Sequence, residues 1–167
     1  MFPEQMGQQH VAQLVPQHRR KLRAPSTRPD HHPPALRHLF RNPFLDAQLI
    51  ERLFELPAVR QSYEARREAV GHLRTPRLLS LQFVGGLYWV DLVRIGLDAR
   101  LHPVVRRAAA LRLIERLPTL AVGERIAVAR SASSSVLAVL RHDPSATVVA
   151  ALLDNPRTTE TLLMPLA

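Results

Sequence analysis

Two stretches far apart in the chain say nearly the same thing. Residues 40–54 read FRNPFLDAQLIERLF and residues 153–167 read LDNPRTTETLLMPLA. Each places Asn-Pro before a short polar stretch and an apolar pair, Leu49-Ile50 or Leu162-Leu163. Aligned on Asn42 and Asn155, thirteen residues run in step without a gap. Such self-similarity constrains the fold strongly, because each copy must be the same supersecondary unit and one unit cannot bury its apolar face alone. A second pairing sets EARREAVGHLRTPRLLSL (64–81) against TVVAALLDNPRTTETLL (147–163), with Arg74-Thr75 on Arg157-Thr158 and Ala69-Val70 on Leu152-Leu153. A third copy, VVRRAAALRLIERLPTLAVGERIAVA (104–129), puts Leu117-Pro118-Thr119 at the corresponding turn. The turns follow one another at irregular spacings of about 30, 44 and 38 residues.

From Leu36 onward the apolar residues recur at helical intervals between Pro and Gly breaks. Hydrophobic residues make up 46% and aromatics only 5%, so the core is built from Leu, Val and Ala, side chains that pack helix on helix. In each unit a small-residue helix leads into a Pro-bearing turn. Pro is accepted in the first turn of the helix that follows, where its missing N–H would be unpaired, and Asn before it can cap. Thr158 or Thr159 with Glu160 sets a hydroxyl and a carboxylate at a helix start, where both are favourable. The expected fold is all-α: a short right-handed α-solenoid of about four irregular helical hairpins over residues 37–167. Residues 1–36, rich in Pro, His and Gln, form the expected disordered basic tail, since they offer too little apolar surface to offset ordering.

The net charge of +9 is uneven. Residues 1–41 hold seven basic and two acidic groups; the remainder holds sixteen and twelve. The body is therefore only mildly basic. With no cysteine, disulfides, thiolate metal sites and cysteine nucleophiles are excluded. The first residues lack a basic region followed by an apolar core, so no secretory signal is read there and a cytoplasmic location is expected. The most apolar run, residues 78–97, carries Gln82, Asp91 and Arg94 and is broken by Gly85-Gly86. Two short buried helices around a turn are expected there, and no membrane insertion.

Two stretches resemble known helical-repeat families. DARLHPVVRRAAALRLIERL (98–117) is similar to the HEAT-type signature, and HDPSATVVAALLDNPRTTETLLMPLA (142–167) to the leucine-rich-repeat-variant form, with its Asp-Pro, Val-Val-x-Ala-Leu and Asn-Pro-x-Thr. The resemblance implies a right-handed stack of helices that binds other macromolecules. An iron–sulfur cysteine cluster can precede repeats of this class; the chain has no cysteine, so that function is not carried over.

Catalytic groupings are sparse. His31-His32 are adjacent and cannot form the i,i+4 face of a helical metal site, while His72, His102 and His142 fall at or near turns. Ser131–Ser135 reads as a polar turn ending in a helix cap. No metal, cofactor or catalytic set is expected, and an enzyme built on Asp91 or Asp154 is the least favoured function. The candidate binding residues are Arg66, Arg67, Arg106, Arg107, Tyr88 and Trp89. The Arg pairs open the small-residue helices of two units, where stacking would align them into a stripe for phosphates or acidic side chains. Alternatively one Arg of each pair bonds Glu64 or Asp98 and the other is solvated. Tyr88 and Trp89 would point about 100° apart on one helix, one in the core and the other partly exposed; buried packing is the expected role, the alternative being an aromatic anchor for a partner. The expected function is a non-enzymatic scaffold or adaptor for protein–protein interaction, the alternative being nucleic-acid binding through the Arg pairs and the tail. The apolar C-terminal end is expected to be covered by the tail or another chain.

Overall fold

The computed structural model describes residues 34–164; the tail up to residue 33, with His31-His32, and the final Leu166-Ala167 lie outside them. Among the described residues there are helices and no strands. In chain order they are α1 (Pro34–Phe40), α2 (Ala47–Glu55), α3 (Pro57–Gln61), α4 (Tyr63–Gly71), α5 (Arg77–Val84), α6 (Trp89–Leu97), α7 (Pro103–Arg116), α8 (Val122–Ser131), α9 (Ser134–Leu140), α10 (Ala146–Ala151) and α11 (Glu160–Leu163). Short 3-10 turns extend α7 at Leu117–Thr119 and α10 at Leu152–Asp154.

Local chemistry sets the ends. Pro34, Pro57 and Pro103 open helices, where a missing N–H is harmless. The first of these starts α1 inside the stretch expected to be tail. The Ser62 hydroxyl accepts the Ala65 N–H at 3.1 Å and caps α4. Glu124 caps α8 by accepting the Ala121 N–H at 2.9 Å. Gly85-Gly86 separates α5 from α6, as the sequence led us to expect.

Contacts between ends show which way the helices run. Tyr63 meets Tyr88 where α4 and α6 begin, and Gly71 lies against Ile95 where they finish. Trp89 bonds Glu124 at the starts of α6 and α8. Arg125 pairs with Asp143 before α10 starts, and Arg130 with Asp154 after α10 ends. His72, after α4, bonds the Asn42 carbonyl after α1. Helices α1, α4, α6, α8 and α10 therefore form one row pointing the same way. A second row points the opposite way. Phe54 of α2 stacks on Phe83 of α5 with centroids 4.6 Å apart, Arg116 of α7 reaches Gly85 beyond α5, and α7 packs on α9. The core lies between the rows and includes the fully buried Ile50, Leu92, Leu113, Leu137, Leu140 and Leu152.

Four of the five first-row turns share one device; the turn after α8 begins at Ala132, which has no side-chain acceptor. Asn42, His72, Asp98 and Asn155 each follow a helix of the first row, and each uses a side-chain acceptor to bind the N–H two residues on, of Phe44, Arg74, Arg100 and Arg157. This is the physical content of the repeat seen at 42, 72 and 155. The third copy is out of register with it: Leu117 has no such acceptor, and its turn leads from the second row back to the first. Helices α3, α6 and α9 also fall outside a scheme of four two-helix units. The reason is that Pro opens helices at both kinds of connection, so a Leu-Pro-Thr match does not tell them apart.

At the C-terminal end, Leu162 packs against the core while Leu153 and Met164 are exposed. No helix among the described residues is long and apolar enough to cross a membrane.

Candidate functional site

The same-direction row brings the starts of α4, α6 and α8 side by side, and the two aromatic candidates sit there. Tyr88 is the N-cap residue of α6 and Trp89 its first residue. Tyr88 is 65% exposed, whereas Trp89 is half-buried against the core. The Trp89 indole donates to Glu124 at 3.0 Å, using the carboxylate oxygen that does not cap α8. Beneath Tyr88 lies Tyr63, with ring centroids 4.4 Å apart and planes tilted by 39°. The Tyr63 hydroxyl donates to Asp91 and accepts the Tyr88 N–H at 3.0 Å. An exposed aromatic ring is thus fixed from below by a ring and through its own backbone by a hydrogen bond. Val90, 56% exposed, extends the apolar surface.

Burial, reinforced by the hydrogen bond to Asp91, pushes the Tyr63 phenol up to about 12. Its proton is held more tightly in the folded state than in the unfolded chain, where a tyrosine loses it near pH 10. Stability from this group is therefore complete below pH 10 and is lost as pH rises from 10 toward 12. A titration followed at 295 nm should show Tyr63 ionising late. Tyr63→Phe should remove that step and the loss of stability between pH 10 and 12, seen as a flatter dependence of unfolding midpoint on pH.

The arginines divide sharply. Arg67 donates to Glu68 at 2.6 Å; burial disfavours its charge, but Glu68, with Asp91 and Glu64 beyond, outweighs this and holds its pKa above the ordinary guanidinium range. Arg66 donates from Nε to the Ser62 carbonyl at 3.3 Å, and its head lies against Gly86, where an added Cβ would stand 3.3 Å from Nη1. Arg106 is half-buried with an unpartnered Nε, its backbone close to Gly96, and Arg107 is exposed. The pairs ride on different rows: Arg66 lies near Gly86 in the turn before α6, and Arg106 near the other end of α6. Asp98 bonds Arg100, not Arg106.

Asp91, in the first turn of α6, is 3.8 Å from Arg94, and Asp154, after α10, pairs with Arg130, so the two carboxylates do not share a site. No group of three metal-ligating side chains occurs among the described residues. His72 is buried and donates from Nε2 to Asn42 while Nδ1 accepts from Arg74, and His102 accepts the Val104 N–H. Ser133 holds the N-cap position of α9 without a side-chain cap bond; its hydroxyl meets Ser135 at 3.1 Å instead. Sequence reasoning did not pick out Tyr63 and Glu124. The signals were Tyr63 directly after a capping serine, and Glu124 three residues after the start of a turn. No family model matches the chain, and comparison with curated proteins and with solved structures finds no match to either.

Proposed function

We propose that the chain is a non-enzymatic helical-repeat scaffold, of the HEAT and leucine-rich-repeat-variant kind, that binds another protein through the aromatic face at Tyr88. The two rows of like-directed helices and the turn device support a solenoid of hairpins, whose right hand is what the resemblance implies. The observation that carries the function is the exposed Tyr88 ring stacked on Tyr63. Binding by a mobile side chain loses rotamer entropy; a tyrosine already held by Tyr63 and its own N–H loses little. Tyr, Trp and Arg are also the side chains that dominate interface energetics. Here Tyr88 and Val90 would form the contact centre, with Trp89 fixing the floor and Arg66 and Arg67 supplying a basic rim.

A photo-crosslinking residue placed at 88 should capture a defined protein partner. Tyr88→Ala should weaken that complex about 30-fold, the loss expected of an aromatic hot spot. A partner bound equally well by Tyr88→Ala would refute this face. The nucleic-acid alternative rests on Arg66, Arg67, Arg106 and Arg107 and predicts affinity that falls steeply with salt. Filter binding of duplex DNA across a salt series decides it: a steep slope, lost on replacing Arg106 and Arg107 with Gln, would displace the protein-binding function.

A further inference from the structure

At the opposite end of α4 and α6 from the aromatic face, the row opens into a cleft of about 380 Å³. It lies where α1, α4 and α6 finish, between the turns that begin at Asn42, His72 and Asp98. Its position follows from the turn device. His72 and Asn155 do more than accept an N–H: each also donates to a carbonyl at the end of the preceding first-row helix, His72 to Asn42 at 3.0 Å, and Asn155 to Ala129 at 2.8 Å and Ala132 at 3.2 Å. Those donors tie neighbouring turns together. Asp98 holds the equivalent place after α6 and, as a carboxylate, has nothing to donate. The turn after α6 is therefore not tied to the turn after α4, and the space between them stays open.

The floor is apolar, with Phe40 and Ile95 both buried beneath it. The rim carries Arg41, Arg94 and Arg100. Both carboxylates lining the cleft are already engaged. Asp98 takes two bonds from the Arg100 guanidinium, at 2.9 and 2.7 Å, and Glu68 takes Arg67 at 2.6 Å. Helix carbonyl ends would ordinarily oppose an anion here. That opposition is reduced in part by N–H groups of the turns, which bind one terminal carbonyl each of α1 and α4 and two of α6: Leu39 by Asn42, Ala69 by His72, and Arg94 and Ile95 by Asp98. What remains unmatched is guanidinium. Arg41 has no ion-pair partner among the described residues, and the carboxylate paired with Arg94 is 3.8 Å away.

We infer that this cleft binds a small organic anion with a flat apolar body, its carboxylate or phosphate held by Arg41 and Arg94 and its body laid over Phe40 and Ile95. The volume falls at the small end of ligand pockets, enough for a single ring and its charged group. Arginine suits the task because its planar fork meets either anion with two parallel bonds. The site is independent of the aromatic face, and the failure of one leaves the other standing.

The test titrates the full chain with benzoate, phenyl phosphate and benzamide, following backbone amide shifts of Gly71, Leu73 and Ile95. Benzoate or phenyl phosphate should saturate with a dissociation constant on the order of 1 mM, as far as so small a ligand can reach. The tighter of the two identifies the anion. Benzamide, the same shape without charge, should bind at least about tenfold more weakly, as should both anions to an Arg41→Gln/Arg94→Gln variant. Arg52→Gln/Arg60→Gln, exposed elsewhere, should bind as the parent does. Equal binding of benzamide and benzoate, shifts mapping away from the cleft, or no saturation by about 20 mM overturns the inference without recourse to any variant.

Discussion

Replacing Asp143 with Ala should lower stability by about 3–5 kcal/mol, the largest effect we expect from a single polar substitution. Asp143 and Arg125 form the most buried ion pair of the described residues, with side chains 6% and 14% exposed. Arg125 Nε lies 2.8 Å from one carboxylate oxygen and Nη2 3.3 Å from the other, while Nη1 donates to the Leu120 carbonyl at 2.7 Å. The pair ties the start of α8 to the turn before α10. Removing the carboxylate leaves a largely buried guanidinium with one carbonyl for company. It also frees the Ser145 N–H, which Asp143 accepts at 2.9 Å. Thermal unfolding should show a midpoint about 10 °C lower, or more. The double change Arg125→Met/Asp143→Asn should recover most of the loss, to within about 1.5 kcal/mol of the parent. It removes the buried charges together and keeps an acceptor for Ser145. A loss below about 1 kcal/mol in Asp143→Ala would mean that water reaches Arg125 and that the pair does not hold these helices.

Asn155→Ala is expected to cost about 2–4 kcal/mol. Asn155 is 3% exposed and makes three bonds, two donated to the end of α8 and one accepted from Arg157. Unmade buried bonds cost about 1–3 kcal/mol each, and relaxation of the turn recovers part of that. Asn155→Asp is the sharper variant. It preserves the acceptor for Arg157 but sets a carboxylate against the Ala129 and Ala132 carbonyls, so it should destabilise at least as much as Ala. His72→Ala should be milder, about 1–2 kcal/mol, because the Asn42 turn it reaches is exposed and water can replace the bond. Chemical denaturation of the three variants tests that order. Should Asn155→Asp prove as stable as the parent, the two donated bonds do not tie the turns together, and the explanation of the open cleft at Asp98 falls with them.

The turns were legible because their chemistry is local. Asn42 and Asn155 announced equivalent structure across 113 positions, but not as the helix caps expected: each accepts the N–H two residues on, Pro43 and Pro156 stay in the turn, and α2 and α11 start later, behind Asp46 and Thr159. The match at Leu117 misled for the same reason. Locally it also reads as a Pro-bearing helix start, and only the direction of α7 in the second row shows that it is the other kind of connection. The arginine pairs show the limit from the other side. Identical dipeptides met different fates because Arg67 found Glu68 beside it while Arg107 was left in water.

By itself the sequence determined that the chain would be helical, where its main breaks fall, and that its turns repeat, since capping, proline geometry and apolar period are written residue by residue. Only the tertiary structure decided what those helices place together. Tyr63 reaches Tyr88 across 25 positions, Trp89 reaches Glu124 across 35, and Arg41, Arg94 and Arg100 come to one cleft. Such meetings depend on the direction and register in which neighbouring helices stack. Many apolar contacts between the rows fix that register jointly, and no short stretch of sequence records it.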